Sequence, residues 1–349
     1  MNQGQFSVKG SIYRPVKGED VFFVKKCQGE VSSFAVVIDG ATGMKKRILP
    51  NGEEITLDNI VTGKKTSARV WADLLSQKIS KIASDSKKDL IDIVQEATKQ
   101  ATKDFPDVAG SVFPQQLDPL QVPSAAILIT RIRNGNFEVF SNGDCGMLIR
   151  YQDGHLETYT GNKVLDDMRE QRDAQIMREH PNFKELSNVE QGKIRYSYMQ
   201  KTKENWGKKY FTPYLGGADN MDNFKNVTDF QKDAHKEITT YANGMMWYLT
   251  TKATNIREIA MFSDGADPAF MNSEVAKYIM FEENPKTAMK KLAILARVGA
   301  SLKTNEHAAA VQSVNKGNSA DVKQTKRKKS VFDDMTAWLL HVNQDAQIK

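Results

Sequence analysis

The sequence predicts an α+β protein built on antiparallel sheets, and two observations lead to this fold class. First, the runs SAAILITRI and NFEVFSNGDCGMLIRY are strand-like and are separated by Asn134-Gly135, a dipeptide typical of tight hairpin turns. The run HLETYT follows a second turn at Asp153-Gly154, which predicts an antiparallel meander rather than a βαβ repeat. Second, helical patterns occur in pairs between the groups of strands, as expected when helices cover such sheets.

The composition is that of a globular protein without a membrane span. Of the 349 residues, 40% are hydrophobic and 26% are charged, and no apolar run approaches the roughly 18 residues that a transmembrane helix needs. The N-terminal MNQGQFSVKG lacks the layout of a secretory signal, and Cys27 and Cys145 are the only cysteines, so we expect a reducing, cytoplasmic location. The net charge of +6 does not by itself indicate a nucleic-acid partner.

Apolar runs that end in acidic residues recur along the chain. The segment FSVKGSIYRPVKGEDVFFVKK predicts two strands around a polar turn that contains Glu19 and Asp20. The short β-branched run FAVVIDGATG predicts a buried strand that delivers Asp39 to a turn. The runs NFEVFSNGD and EIAMFSDG bring Asp144 and Asp264 to strand ends in the same way.

Two amphipathic helices are predicted between the second and third of these runs. In the first helix, apolar residues fall on one face, and Thr66 or Ser67 is the expected N-cap. That face consists of Trp71, Leu74, Leu75, Ile79 and Ile82. Ser86 and Asp89 have the spacing of a capping box before the second helix. Its apolar face consists of Leu90, Ile93, Val94, Ala97 and Ala101.

The second half of the chain is predicted to carry an insertion on a single domain that spans residues 1–349. From about Gly161 to Gly244, charged helices and irregular chain with weak apolar periodicity indicate a flap over one face of the core. The strands MMWYLTTKA and EIAMFSDG and the helices SEVAKYIMF and PKTAMKKLAILARVGA follow. Residues 301–330 are expected to form a polar loop that includes the basic run 323–329, and the strand MTAWLLHV closes the pattern.

Aspartates at strand ends, without accompanying histidines, predict a site for hard metal ions. Carboxylate oxygens suit magnesium or manganese rather than zinc, and a cluster of like charges needs a cation to compensate it. Two such ions about 3.5–4 Å apart could share a bridging water and lower its pKa. The resulting nucleophile would suit in-line attack on a phosphate ester.

Other catalytic systems are not indicated by the sequence. There is no GxSxG nucleophile elbow, no HExxH zinc motif among the five histidines, and no complete phosphate-binding loop of the type GxxxxGK[ST].

Five short motifs, in this order, resemble those of the metal-dependent protein Ser/Thr phosphatases of type 2C, the PPM family. They are Glu19-Asp20, Asp39-Gly40, Gly143-Asp144, Ser263-Asp264-Gly265 and Asp333-Asp334-Met335-Thr336. The likeness extends from about Phe6 to Val342, excluding the stretch from Gly161 to Gly244. It implies a four-layer αββα sandwich in which two antiparallel sheets are flanked by helix pairs.

The resemblance also implies roles for individual residues around two manganese or magnesium ions, with a weaker third site. Asp39 would bridge both ions, and Asp264 and Asp333 would complete the first metal site. The Gly40 carbonyl would hold the second ion with Glu19, directly or through water. The remaining implied metal residues are Asp20, close to the ions, and Asp144, which would form the third site with Asp264.

Two positions depart from the family pattern. The family's phosphate-binding arginine falls at Pro15 here, so Arg14, through a shifted turn, or alternatively Lys17 becomes the candidate to contact the substrate phosphate. Ala41 stands where many eukaryotic members have a histidine proposed as a general acid, as is common in bacterial-type sequences.

The leading hypothesis from the sequence is therefore a metal-dependent phosphatase that acts on phosphoserine or phosphothreonine in a phosphorylated protein. A catalytically weak or inactive binding module of the same fold is the first alternative, motivated by Pro15 and the long insertion. A small-molecule phosphomonoesterase is the second, since pocket depth is not encoded in motifs. Nucleic-acid binding through residues 323–329 is a third hypothesis, disfavoured because no aromatic-interleaved basic groove is evident. The sequence does not indicate an oligomeric state.

Overall fold

A computed structural model describes most of the chain. The described residues are 5–12, 18–41, 46–56, 61–62, 65–85, 87–109, 122–160, 162–209, 227–233, 236–241, 246–266, 273–284, 286–292 and 337–343.

The described residues form short and long strands in alternation with helices. The strands are β1 (Gln5–Ile12), β2 (Val21–Lys26), β3 (Val31–Ala41), β4 (Lys46–Ile48), β5 (Glu54–Thr56), β6 (Val61–Thr62), β7 (Lys65–Thr66), β8 (Ser124–Arg133), β9 (Asn136–Asn142), β10 (Gly146–Tyr151), β11 (Leu156–Tyr159), β12 (Val227–Lys232), β13 (Lys236–Tyr241), β14 (Met246–Lys252), β15 (Ile256–Phe262) and β16 (Ala337–Asn343). The helices are α1 (Ser67–Ile82), α2 (Leu90–Ala109), α3 (Asn162–Glu179), α4 (Asn188–Lys209), α5 (Ser273–Met280) and α6 (residues 286–292).

Two antiparallel sheets carry the fold. The five-stranded sheet has the order β1-β16-β15-β10-β11, and the seven-stranded sheet has the order β12-β13-β14-β9-β8-β3-β2. Two short hairpins, β4-β5 and β6-β7, stand apart from both sheets. Because β16, the last strand that the structure describes, pairs with both β1 and β15, the first and last described strands are neighbours in one sheet.

Side chains on successive residues of each strand point to opposite faces, and this alternation builds four layers. On β3, Val36 and Ile38 pack under α1 and α2, whereas Ala35 and Val37 face the other sheet. The outer face of the five-stranded sheet packs against α5 and α6, for example at Phe262. The predicted α+β class, with two antiparallel sheets flanked by helix pairs, is therefore confirmed.

Helix α1 forms as its sequence pattern predicts. Thr66 is the N-cap, and its Oγ1 accepts a hydrogen bond from the Arg69 N–H at 3.2 Å. Trp71 and Leu75 are fully buried against β3 and β8, while Ile82, at the end of the stripe, is partly buried. The apolar stripe predicted for α2 is buried in the same layer.

The meander predicted after Asn134-Gly135 is only half correct. Asn134 and Gly135 have φ of 51° and 74°, as a tight hairpin requires, and β8 pairs with β9. The next strand, β10, does not continue that sheet but pairs with β11 and β15 in the five-stranded sheet. Gly143, with φ of 100°, begins this crossing in a left-handed conformation that favours glycine.

The region 161–244 contains the two predicted helices, α3 and α4, and also a hairpin that was not predicted. Strands β12 and β13 pair with each other and extend the seven-stranded sheet through β14. Every residue of β12 is exposed, so the strand carries no alternating apolar signal to mark it in the sequence.

Several predictions fall outside the described residues: the polar loop 301–330 with its basic run 323–329, the Ser86 part of the capping box, and the site residues Arg14, Lys17 and Asp333. Within the described part of the chain, no helix combines the length and apolar character needed to cross a lipid bilayer.

Candidate metal centre

Strand pairing brings two of the predicted acids, Asp20 and Asp39, side by side. Val21 on β2 is opposite Ile38 on β3, and continuing this register by one residue places Asp20 opposite Asp39. Asp39 is itself opposite Ala126 on β8. Because side chains alternate along β3, Asp39 shares the inward face with Val37 and projects toward the gap between the sheets.

The crossing from one sheet to the other brings in the second pair of acids. Gly146 on β10 is opposite Phe262 on β15, so Asp144 and Asp264, two residues beyond this pair on each segment, lie at the same end of the two strands. Ser263, fully buried, donates a hydrogen bond from its Oγ to Asp20 Oδ2 at 2.7 Å. This contact joins the end of the five-stranded sheet to the acid-bearing loop of the seven-stranded sheet.

The electrostatics of Asp39 show that these acids are close together. Burial raises the pKa of the Asp39 carboxyl well above its ordinary value, because the charged form is poorly solvated. Repulsion from three neighbouring carboxylates and a hydrogen bond with Asp20 raise the pKa further. Those carboxylates are Asp20, Asp264 and Asp144.

Cys145 lies at the same end of the sandwich, buried beneath the acids. Burial, followed by the charges of Asp39 and Asp144, raises the pKa of the Cys145 thiol well above its ordinary value. The side chain is therefore a neutral thiol in the metal-free protein, and a thiolate nucleophile is not available there.

Gly40 occupies a place where no side chain fits. A Cβ atom on Gly40 would lie 2.8 Å from the backbone oxygen of Glu19 and 3.0 Å from that of Ala68. The Glu19 loop, β3 and the first turn of α1 therefore meet at this glycine, and the close approach leaves main-chain oxygens next to the acids.

We expect Gly40→Ala to destabilise the protein by about 1–3 kcal/mol, since the new methyl group meets backbone atoms that cannot rotate away. Urea unfolding would measure the change. Gly192→Ala is the control, because nothing lies within 4 Å of a Cβ there; as Gly192 is within α4, alanine should be neutral or stabilising. Equal stability of Gly40→Ala and the wild type would contradict the tight packing.

The donor set suits a hard divalent cation, although its side chains are not arranged around one point. All the converging donors are carboxylate or carbonyl oxygens, which magnesium and manganese prefer. Among the described residues, no three Asp, Glu, His or Cys side chains already surround a common metal position. Repulsion between uncompensated carboxylates favours such separation. Asp333 and Arg14, also predicted for the site, lie outside the described residues.

Two residues that contribute to this region were not assigned a role from the sequence. Ser263 carries no signal beyond its place in the motif Ser263-Asp264-Gly265, and Arg69 belongs to none of the motifs. Arg69 follows Ala68 and precedes Val70, both buried, so a charged residue inside the apolar first turn of α1 was the available signal.

No protein-family model and no curated protein matches the chain. Solved structures of bacterial serine/threonine phosphatases do match it. The catalytic domain of the serine threonine protein phosphatase PstP, in complex with two manganese ions, is 11% identical, with 97% of each chain covered and a TM-score of 0.44. The Mycobacterium tuberculosis phosphatase PstP/Ppp is 11% identical, with 97% of this chain and 98% of that chain covered and a TM-score of 0.44.

Stp1 from Staphylococcus aureus is a further match, 10% identical over 98% of this chain and 95% of that chain, with a TM-score of 0.42. All three of these matched structures are serine/threonine phosphatases. Identities and TM-scores this low do not carry an activity over to this chain.

Proposed function

We propose that this chain is a metal-dependent phosphatase that hydrolyses phosphoserine or phosphothreonine in a protein substrate. The observation that carries the proposal is the convergence of Asp20, Asp39, Asp144 and Asp264 at one end of the two sheets, where burial and then repulsion from the other three carboxylates raise the pKa of Asp39. Carboxylates held this close repel one another, and a bound divalent cation would neutralise their charge.

In this proposal the chain's own oxygens hold the ions. Asp39 would be the central metal ligand, because its carboxylate is close enough to the other three acids to be repelled by each of them. The Gly40 carbonyl and Glu19 would add ligands from the adjoining loop, and Asp333 would complete the set. When bound, manganese or magnesium would neutralise the phosphate oxygens and lower the pKa of a water at the site.

The hydrolysis breaks the ester bond between phosphorus and the serine or threonine oxygen, and a water oxygen forms the new bond to phosphorus. Arg14, or alternatively Lys17, is proposed to orient the phosphate by binding its oxygens. Ala41 is exposed and has no titratable group, so this position supplies no proton to the leaving oxygen.

We further propose that residues 1–349 form one domain on which about 161–244 is an insertion. In support, α3 and α4 pack around a small cluster of their own, centred on Ile176, Phe183 and Tyr198. A hydrogen bond from the Ile48 N–H to Gln200 Oε1, at 3.0 Å, ties α4 to the hairpin β4-β5. That hairpin follows β3, the strand that carries Asp39.

The test is release of phosphate from a phosphothreonine peptide by the purified chain with manganese, with magnesium, and with excess chelator. We expect turnover with either ion, loss of turnover with chelator, and recovery when the ion is restored. Equal chelator-resistant rates would contradict the proposal. Manganese binding without turnover would favour the inactive binding module, and turnover of p-nitrophenyl phosphate but of no phosphopeptide would favour the small-molecule phosphomonoesterase.

A further inference from the structure

The guanidinium of Arg69 is bonded to the backbone on both sides of Glu19. Its Nη1 donates hydrogen bonds to the carbonyl oxygens of Gly18 and Asp20, each at 2.9 Å. The Arg69 side chain is only 12% exposed. One planar group of α1 thus holds two carbonyls of the loop that carries the predicted acids, as the fixed fork of an arginine permits.

The other edge of the guanidinium is held by α1 itself. Arg69 Nε is 3.0 Å from Asp73 Oδ1, one helical turn along, and Lys65 Nζ is 2.7 Å from the second oxygen of the same carboxylate. Asp73 therefore sets the rotamer of Arg69 and directs its Nη1 toward the loop.

The loop held by Arg69 is in contact with the rest of the site. The Glu19 carbonyl packs against Gly40 beside the Ala68 carbonyl, which is adjacent to Arg69 in the chain. The Asp20 carboxylate is fixed from the opposite side by Ser263. A small shift of the loop would therefore displace Asp20 relative to Asp39.

We propose that Arg69 is a positioning residue for the metal centre: it fixes the Gly18–Asp20 backbone so that Glu19 and Asp20 face Asp39 when an ion binds. The part of this inference that concerns the ion rests on the proposed function, whereas the part that concerns the loop holds for the metal-free protein. Residues that orient metal ligands affect metal affinity without touching the ion.

The experiment compares the wild type with Arg69→Leu, Arg69→Lys and the control Lys78→Leu. Lys78 is also on α1 and pairs with Asp104 of α2, so its loss removes an ion pair from the same helix without touching the loop. Calorimetric titration with manganese chloride should show affinity weakened about ten- to a hundredfold in Arg69→Leu. Arg69→Lys should recover part of it, because a lysine can reach one carbonyl but cannot hold both.

Hydrogen exchange on the metal-free proteins gives the second readout. Backbone amides around Glu19 and Asp20 should exchange roughly tenfold faster in Arg69→Leu and at the wild-type rate in Lys78→Leu. Unchanged exchange in a folded Arg69→Leu would overturn the inference, as would unchanged manganese affinity beside a wild type that binds the ion. A wild type that binds no manganese, with faster loop exchange in Arg69→Leu, would uphold the loop's anchor and reject the metal-dependent function. If Arg69→Leu does not fold, Arg69→Lys is judged by the same two measurements.

Discussion

Asp39→Asn should abolish metal-dependent phosphatase activity and, in the same protein, make the metal-free fold more stable. We expect turnover to fall at least about a hundredfold, the scale seen when a group that stabilises transition-state charge is removed. At neutral pH the metal-free variant should gain about 1–2 kcal/mol, as when strain at an active site is relieved. Both effects come from the surroundings of the Asp39 carboxylate, which is buried and is repelled by Asp20, Asp264 and Asp144.

The gain in stability should depend on pH with a defined sign. The folded-state pKa of Asp39 is raised, so below about pH 3.9, the value for an unfolded aspartate, the carboxyl is protonated in both states and carries no penalty. As pH rises from there through the raised folded-state value, the unfolded chain releases the proton more readily and the wild type loses stability. Asparagine cannot ionise, so the difference between variant and wild type should widen with pH.

Thermal unfolding of both proteins between about pH 4 and pH 8, with chelator and then with saturating manganese, measures these terms. Manganese should raise the wild-type transition by mass action and leave that of Asp39→Asn unchanged. Asp229→Asn, on the exposed strand β12, is the matched control and should behave as the wild type. A destabilised metal-free Asp39→Asn would show that Asp39 serves the fold rather than an ion.

Glu138→Gln should have the largest effect on folding, about 3–5 kcal/mol of destabilisation. Glu138 Oε2 lies 2.7 Å from the Arg131 guanidinium, and its other oxygen lies 2.6 Å from that of Arg133. The Arg131 side chain is 0% exposed. Neutralising Glu138 would leave a charge that cannot reach water, and removing one partner of a buried pair is far more costly than replacing both.

The buried arginine also anchors the helix layer. Arg131 donates to the carbonyl oxygens of Asp85 and Lys88, at 3.2 and 2.9 Å, in the turn between α1 and α2. The destabilisation of Glu138→Gln should therefore appear as a lower midpoint in urea unfolding. Glu237→Gln is the control, since its ion pair with Lys232 is exposed and should contribute less than about 1 kcal/mol.

A double replacement, Arg131→Met with Glu138→Leu, distinguishes the cost of an unpaired buried charge from the loss of the ion pair itself. It should recover part of the stability lost in Glu138→Gln, because the fully buried Arg131 charge is removed together with its partner, while Arg133 keeps Asp89 as a neighbour at 3.5 Å. If Glu138→Gln were as stable as the control Glu237→Gln, solvent or another group would have to compensate the charge of Arg131.

The parts of the fold that the sequence predicts are those with a strong periodic signal. The stripe from Trp71 to Ile79 could be placed on one helix face because burial recurs with the helical period. The hairpin at Asn134-Gly135 could be placed because few residues other than these tolerate positive φ in succession. The acids Asp39 and Asp264 stood out because each ends an apolar run.

The parts that could not be predicted depend on pairing between distant segments. No local sequence feature distinguishes a strand that continues a sheet from one that enters the opposite sheet. Only the long-range partners, β14 for β9 and β15 for β10, place these two strands in different sheets. The exposed strand β12 lacks the apolar alternation by which strands are recognised. Arg69 acts on carbonyls some fifty residues away, and no spacing in the chain reports such a contact.

The chain's passage from β9 into β10 has a mechanical consequence. The acids that converge at this end belong to two separate layers, with Asp39 on the seven-stranded sheet and Asp264 just after a strand of the five-stranded sheet. A cation bound by both residues would cross-link the two sheets. Separating the layers would then require breaking metal–oxygen bonds as well as parting apolar side chains, so the metal-bound protein would resist shear more strongly at the acid-bearing end of the sandwich than at the other end.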